Sequence, residues 1–233
     1  MIGSGADEGE DTVAVAPERR RPIGEGGRPP GTLRPERWNE IVDAAGDVFD
    51  EKGYAAARIE DIAARVGLLK GSLYYYIDSK EDLLFAIVDG NHSRGIAVVE
   101  QGAALESADP PTRLGAFVDR WIGILSANPG YAAIAERDLR RLDPERQAIV
   151  MDKRARIHRF VRDIVEDGIA RGCFDAGIDP GIVTNNLFDV LNGISQWFHP
   201  ARPLTYEQLA EHVRRFVLRG LGADPDASGT ALP

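Results

Sequence analysis

Cationic and hydroxyl side chains follow one another closely between Arg58 and Lys80, in the stretch RIEDIAARVGLLKGSLYYYIDSK. Lysine and arginine neutralise phosphates, and serine and tyrosine hydroxyls can bind phosphates or the edges of bases. From Arg65 onwards the stretch carries three cations against a single acid, Asp78. This local excess of positive charge indicates a contact with a nucleic-acid backbone.

Seven residues in this stretch are predicted to contact DNA, in three roles. Two lysines and one arginine would bind phosphates, and one glycine would let the backbone approach closely. The hydroxyls of one serine and two tyrosines would reach phosphates or base edges. These residues are Arg58, Lys70, Gly71, Ser72, Tyr74, Tyr75 and Lys80.

Two short helices are predicted to position these side chains. One apolar face has helical spacing and consists of Ile59, Ile62, Ala63 and Val66. Gly67 follows it, where a helix end needs a residue that tolerates positive φ. A second apolar face consists of Leu69, Leu73, Tyr76 and Ile77, so Tyr76 is expected inside and Tyr75 outside. Such a pair packs as a helix-turn-helix, whose second helix can enter a DNA major groove.

Composition limits the other functions. The net charge of the 233 residues is −9, so DNA binding would depend on a local patch. The single cysteine, Cys173, excludes an intrachain disulfide and a cysteine-based zinc site, and the four histidines have no metal-binding or catalytic spacing. We therefore expect no enzyme activity and no cofactor. Neither a membrane-spanning run nor an apolar signal core is apparent, so a cytoplasmic location without membrane contact is expected.

The whole folded part is predicted to be all-α, with about nine helices. Residues 1–33 are expected to be a disordered tail and residues 34–80 a three-helix DNA-binding domain, with the helix-turn-helix at about 58–77. Residues 81–222 would form a helical ligand-binding and dimerisation domain, followed by a frayed end at 223–233. The helix after Ser79 is expected to kink or break because it contains Gly90, Gly95 and Gly102.

The block from Trp38 to Ala86 resembles the DNA-binding domain of the TetR (tetracycline-repressor) family. The resemblance rests on Ala44-Ala45, Phe49, Gly53-Tyr54, Asp61-Ile62-Ala63, Val66-Gly67, Lys70-Gly71-Ser72-Leu73-Tyr74, Tyr76 and Ser79-Lys80-Glu81-Asp82-Leu83-Leu84. It implies a homodimeric transcription regulator of a palindromic operator, typically a repressor that a small-molecule effector releases from DNA. Ala57 and Leu69 depart from the family pattern, because both stand where a hydroxyl residue is usual.

The C-terminal part resembles, on fewer residues, a TetR subgroup that regulates fatty-acid or sterol breakdown and senses acyl-CoA thioesters. The matching segments are Glu136 to Leu142, the helix from Asp143 to Arg171, and Trp197-Phe198-His199-Pro200 with Pro203-Leu204-Thr205. This resemblance implies an acyl-CoA or another lipid-derived anion as effector. A regulator of efflux that senses a neutral or cationic hydrophobic compound stays open, as does a helical interaction protein that does not bind DNA.

Aromatic and cationic side chains of the C-terminal helices are candidates for the effector site. The aromatics would line a pocket and the cations would bind an anionic group, although a plain core and a solvated face would give the same patterns. The predicted ligand-binding residues are Trp121, Tyr131, Arg137, Arg141, His158, Phe188 and Trp197.

The last two helices carry apolar stripes that the family resemblance assigns to a dimer interface. The predicted dimer residues are Leu187, Leu191, Ile194, Val213, Phe216 and Val217. The alternative is that these stripes pack inside one subunit.

Overall fold

The computed structural model describes residues 35–198 and 204–223. Within these ranges the chain forms nine α-helices and one short 3-10 turn, with no β-strand, which confirms the all-α prediction. No helix in these ranges is long and apolar enough to span a bilayer. The predicted tail, the loop at 199–203 and most of the predicted frayed end lie outside the described residues.

The helices follow one another with short connections. Their bounds are α1 Pro35–Lys52, α2 Ile59–Arg65, α3 Lys70–Leu73, α4 Lys80–Ala103, α5 Pro110–Ala127, α6 Pro129–Asp138, α7 Pro144–Ala170, α8 Pro180–Trp197 and α9 Tyr206–Gly220, with the 3-10 turn Leu139–Arg141 between α6 and α7.

Three helices begin at an Asp-Pro pair. Asp109, Asp143 and Asp179 are the N-cap residues of α5, α7 and α8, and a proline occupies the first helical position of each. In each case the aspartate Oδ1 accepts a hydrogen bond of 2.9 Å from the backbone N–H three residues later. Each cap satisfies an amide that has no partner inside the helix and so defines where the helix begins.

Helix α4 runs unbroken from Lys80 to Ala103, so the predicted break is wrong. Two of its glycines are buried where an aromatic ring approaches the helix backbone. A Cβ at Gly95 would lie 3.1 Å from Cζ3 of Trp121, and one at Gly102 would lie 2.5 Å from Cζ of Phe160. These glycines therefore admit rings to the helix surface instead of ending the helix.

Two apolar cores lie along the molecule. The first joins α1, α2 and α3 to the first half of α4 and to α6. The second joins the rest of α4 to α5, α7, α8 and α9. The division of the chain at residue 81 stays a prediction, but the buried run from Leu83 to Val88 packs in the first core, with the helix-turn-helix. Helix α4 thus contributes to both cores.

Candidate nucleic-acid interface and ligand cavity

Helices α2 and α3 form the expected helix-turn-helix geometry. After α2 the chain reverses at Gly67, whose φ is +67°, and the Leu68 N–H donates to the Ala63 carbonyl at 2.8 Å. Positive φ at this position suits glycine because it has no Cβ. Helix α3 has only four residues, and the buried side chains of Leu73 and Ile77 fix it and the following turn on the first core.

The outer surface of the turn that follows α3 carries large exposed side chains. Tyr75 is 81% exposed and Tyr74 is 42% exposed, whereas Tyr76 is half-buried against the first core. This arrangement confirms the predicted orientations of Tyr75 and Tyr76. The prediction that Leu69 belongs to the inner face is wrong, because Leu69 is 80% exposed. Its backbone is extended at the N-cap of α3, so its side chain does not follow the helical spacing.

Lys70 lies at the start of α3, where a phosphate contact is predicted. Its Nζ forms an ion pair of 2.7 Å with Oε1 of Glu60 on α2, and both side chains are more than half exposed. The hydrogen bond with Glu60 raises the pKa of Lys70 and correspondingly lowers the pKa of Glu60. Gly71 is exposed beside it with open space where a Cβ would be, and Ser72 is half-buried.

Lys80 has contacts that its position in the sequence does not indicate. Its Nζ donates to the carbonyls of Tyr54, at 2.6 Å, and Ala57, at 2.7 Å, and lies 4.4 Å from the centre of the Tyr54 ring. Burial, followed by the nearby Arg141 guanidinium, lowers the pKa of Lys80. Two of its three donors therefore hold the connection between α1 and α2, and a phosphate contact by Lys80 stays a prediction.

Acidic residues of α1 and α2 face the cations of this domain. Arg65 contacts Glu51 at 2.7 Å and Asp47 at 3.5 Å, and Lys52 contacts Asp61 at 2.9 Å. The excess of positive charge counted along Arg65–Lys80 is therefore largely balanced in space by carboxylates from outside that stretch. Arg58 is exposed at the N-cap of α2, where its backbone N–H donates to Oδ2 of Asp61 at 3.1 Å.

A cavity lies among α4, α5, α6, α7 and α8. The space between its lining atoms amounts to about 520 Å³, a figure that counts solvent at its opening. Of the predicted ligand residues, Trp121, His158 and Phe188 line it. The other lining residues are Asn91, His92, Ile124, Leu125, Ala132, Ala135, Glu136, Arg154, Ile157 and Asn192.

Aromatic rings form one wall of this cavity. The Phe188 ring lies 4.0 Å from the His158 ring, which stacks on it, and 5.3 Å from the Trp121 ring, which meets it edge-on. Phe117 stacks on Trp121 at 5.4 Å and also meets Phe188 edge-on at 6.0 Å, so the three rings pack on one another in a triangle. Two of the predicted aromatic residues, Trp121 and Phe188, thus line the cavity, and their rings are fixed by packing on one another.

The polar groups of the cavity nearly balance in charge. Oε2 of Glu136 lies 3.8 Å from Arg154 and accepts a 3.5 Å hydrogen bond from Asn192. Burial lowers the pKa of His92 and His158, which favours their neutral forms. Arg154 lies four residues before His158 on α7, so helical spacing places both side chains on one face of that helix.

Four predicted ligand residues lie away from the cavity. The hydroxyl of Tyr131 donates to Asp43 of α1, and Arg137 and Arg141 both donate to the buried carboxylate of Asp138 at 2.8 Å. Trp197 is 49% exposed on the outer side of α8. The structure does not place Arg137 and Arg141 where they could bind an anionic group of a ligand in the cavity. Both guanidinium groups instead pair with Asp138.

The predicted dimer residues divide between the inside and the surface of one subunit. Leu187, Leu191, Ile194 and Val213 are buried in the second core of the chain, so these four do not form a dimer surface. Phe216 is 67% exposed and Val217 is half-buried. The exposed apolar side chains of α8 are instead Ile182, Val190 and Trp197.

Comparison with known proteins gives matches over most of the chain. The sequence profile described as "Bacterial regulatory proteins, tetR family" matches residues 41–87, and that described as "Tetracyclin repressor-like, C-terminal domain" matches residues 107–221. No cluster of histidine, cysteine or acidic residues that could hold a metal ion occurs among the residues described above.

Three relatives illustrate the similarity. The transcriptional repressor KstR2 of Rhodococcus jostii is 27% identical over 192 residues, which cover 80% of this chain and 92% of the relative. The transcriptional activator FasR of Mycolicibacterium smegmatis is 28% identical over 221 residues, which cover 91% and 97%. The solved structure of the ketosteroid transcriptional regulator KstR2 of Mycobacterium tuberculosis has a TM-score of 0.75 at 25% identity, covering 81% of this chain and 96% of that one.

Proposed function

The chain belongs to the TetR family of bacterial regulatory proteins, and from this premise we propose that it is a homodimeric, ligand-responsive transcriptional regulator that binds operator DNA. The observation that carries the proposal is the presence, in one chain, of a helix-turn-helix with an exposed outer surface and a separate ligand cavity. The chain would act in the cytoplasm, without a catalytic role. Dimerisation fits this function because one reading helix covers only half of a palindromic operator.

Helix α6 supports a connection between the cavity and the DNA-binding domain. Ala132, Ala135 and Glu136 of this helix line the cavity. Its Tyr131 contacts Asp43 of α1, and its Arg137 donates to the carbonyl of Phe49 at 3.2 Å. An effector that moves α6 would therefore move α1 and change the spacing of the two reading helices in the dimer.

In this proposal the protein is a repressor, and binding of the effector releases it from its operator. The reported relatives include both a repressor and an activator, but KstR2 is named a repressor. The effector is proposed to be lipid-derived, because one of these relatives is named a ketosteroid regulator. Because Arg154 already forms an ion pair with Glu136, we expect any charged end of the effector to lie outside the aromatic part of the cavity.

Binding to the DNA upstream of the chain's own gene tests the proposal. Fluorescence anisotropy of a labelled duplex would be measured over a range of salt concentrations for the wild-type protein and Lys70→Ala. If Lys70 binds a phosphate, the variant binds every duplex more weakly, and the salt slope decreases by roughly one per bound subunit.

Arg162→Ala is the matched control, because Arg162 is an exposed cation on α7 that pairs with Glu166. This variant should retain the wild-type slope. A wild-type protein that binds no duplex from this region would contradict the regulatory function, and an unchanged slope in Lys70→Ala would refute the phosphate contact alone.

A further inference from the structure

Arg146, in the first turn of α7, is a buried arginine whose side chain is only 5% exposed. Its Nη2 donates to Oδ1 of Asp82 in the first turn of α4. The nearest oxygens of Glu81 and Asp143 lie 3.6 Å from the guanidinium, and its Nε and Nη1 have no hydrogen-bond partner among the residues that the structure describes. The contact with Asp82 is therefore the hydrogen bond that holds the Arg146 side chain in place.

The other oxygen of the Asp82 carboxylate holds the backbone between α3 and α4. Oδ2 accepts hydrogen bonds from the backbone N–H groups of Asp78, at 2.7 Å, and Ser79, at 2.8 Å. These two residues directly follow Ile77, whose buried side chain fixes the turn after α3 on the first core. One carboxylate thus connects α7, through Arg146, to the segment that follows the helix-turn-helix.

Helix α7 extends from this contact to the cavity. Ile157 and His158 of the same helix line the cavity, and Ile157 lies about 17 Å along the helix axis from Arg146. A continuous helix can carry a displacement over this distance because it moves as a rigid element. The connection is separate from the one that α6 makes to α1 through Tyr131.

A second buried ion pair joins the same two helices without reaching the segment after α3. Lys153 of α7 donates to Asp89 of α4 and, at 2.9 Å, to Ser93. In both pairs the cation contacts an aspartate 64 positions earlier, so the two pairs lie seven residues apart on each helix. Asp89 lies well inside α4 instead of in its first turn. This second pair therefore shows what joining α4 to α7 contributes by itself.

We propose that Arg146 is a positioning residue for DNA binding: it orients Asp82, which fixes the segment after α3 and so the reading helix itself. The proposal rests on the proposed function, since it takes α3 to be the helix that enters the major groove. Without Arg146, the Asp82 carboxylate keeps its charge but loses the contact that fixes its rotamer, so its hydrogen bonds to both backbone amides weaken. The reading helix then occupies its DNA-binding position for less of the time.

Hydrogen exchange of the full chain without DNA, followed by mass spectrometry, measures these amides. In Arg146→Met, peptides that contain Asp78 and Ser79 should exchange about tenfold faster at this segment, the change expected for the loss of one charge-assisted hydrogen bond. Fluorescence anisotropy with the upstream duplex should show about tenfold weaker binding, which corresponds to a reading helix in its DNA-binding position about one tenth of the time.

Lys153→Met is the matched control. It also removes a cation of α7 and leaves a buried carboxylate of α4 without its partner, so it should lower the free energy of unfolding about as much as Arg146→Met. It should nevertheless keep the wild-type exchange at Asp78 and Ser79 and the wild-type DNA affinity. Arg146→Lys should restore most of both losses, because only one guanidinium nitrogen is hydrogen-bonded and a lysine can supply one donor.

Asp82→Asn tests the same connection from the other helix, and it decides the question if Arg146→Met does not fold. The asparagine side chain has the same size but only one acceptor atom, so it cannot bind Arg146 and both backbone amides as the carboxylate does. This variant should also accelerate exchange at Asp78 and Ser79 and weaken DNA binding.

Three outcomes would overturn the proposal: wild-type exchange at Asp78 and Ser79 in the folded variants, equal acceleration by Lys153→Met, or faster exchange with unchanged DNA affinity. The failure of the proposed function looks different. A wild-type protein that binds no upstream duplex would refute the regulator and the positioning role together, whereas a wild-type protein that binds the duplex, with unchanged exchange in the variants, would reject the role of Arg146 alone.

Discussion

The phenol hydroxyl of Tyr131 donates a hydrogen bond of 2.6 Å to Oδ1 of Asp43, and this contact joins α6 to α1 across 88 positions of sequence. The ring lies against α1 at Gly46, where a Cβ would overlap it. Burial, followed by the hydrogen bond with Asp43, raises the pKa of Tyr131. The hydroxyl is therefore held in its protonated, donating form at the junction between the cavity and the DNA-binding domain.

Tyr131→Phe should weaken this junction without leaving a cavity. We expect the free energy of unfolding to fall by about 1 kcal/mol at pH 7, because one hydrogen bond is lost while the exposed Asp43 regains water. Urea unfolding measures this difference. The ratio of DNA affinities with and without effector should also fall towards one, and an unchanged ratio would exclude Tyr131 from the coupling.

Tyr131→Phe should also change how the free energy of unfolding depends on pH in the alkaline range. A raised folded-state pKa means that, above about pH 10, the folded state keeps a proton which the unfolded state releases. Stability of the wild-type protein should therefore decline as the pH rises above this value, and Tyr131→Phe should lack this part of the decline. Unfolding curves at neutral and alkaline pH test the sign.

Lys80→Ala should reduce stability as well as any DNA contact. The variant leaves the carbonyls of Tyr54 and Ala57 without their donor, so we expect a loss of about 1–2 kcal/mol in unfolding free energy. Lys70→Ala is the comparison, since its exposed ion pair should contribute little. A Lys80→Ala protein with full stability and poor DNA affinity would instead assign Lys80 to a phosphate.

Phe216→Asp should produce a folded monomer. Phe216 is exposed in one subunit, and a carboxylate at this position would be buried without a partner in an interface formed by α8 and α9. Analytical ultracentrifugation gives the association state. Leu191→Ala is the contrasting variant: it should cost about 2–5 kcal/mol in stability because Leu191 is fully buried. A dimer that persists in Phe216→Asp would place the interface elsewhere.

The cavity histidines should make the protein sensitive to acid. Because burial lowers the folded-state pKa of His92 and His158, the unfolded state binds protons first as the pH falls through about 6.5. Stability present at neutral pH is therefore lost towards pH 5. The double variant His92→Gln, His158→Gln should lose less over this interval in urea unfolding, and a loss equal to that of the wild-type protein would contradict the assignment.

Local features that depend on residues adjacent in the sequence could be predicted. The helix starts at Asp143 and Asp179 depend on an N-cap and the following proline, and the turn at Gly67 depends on one positive φ, so all three could be predicted. The partner of Lys80 could not, because the Tyr54 carbonyl lies 26 positions away and carries no side-chain signal.

The functional faces of α8 could not be assigned for a different reason. This helix is apolar on its inner side, with Leu187 and Leu191, and also outside, with Ile182 and Val190. Helical periodicity identifies stripes but does not say what covers each one. The same limit applies to Arg137, whose spacing is compatible with a clamp until the buried Asp138 is seen beside it.

The ion pairs within α1, α2 and α3 affect how the protein is distributed over a chromosome. Affinity for random DNA depends on cations that are free to displace counterions from phosphates. Here Lys52, Arg65 and Lys70 must each leave a carboxylate of their own domain before they can do so. We therefore expect weak nonspecific binding to the many DNA sites that are not operators. A small number of molecules per cell would then suffice to keep an operator occupied.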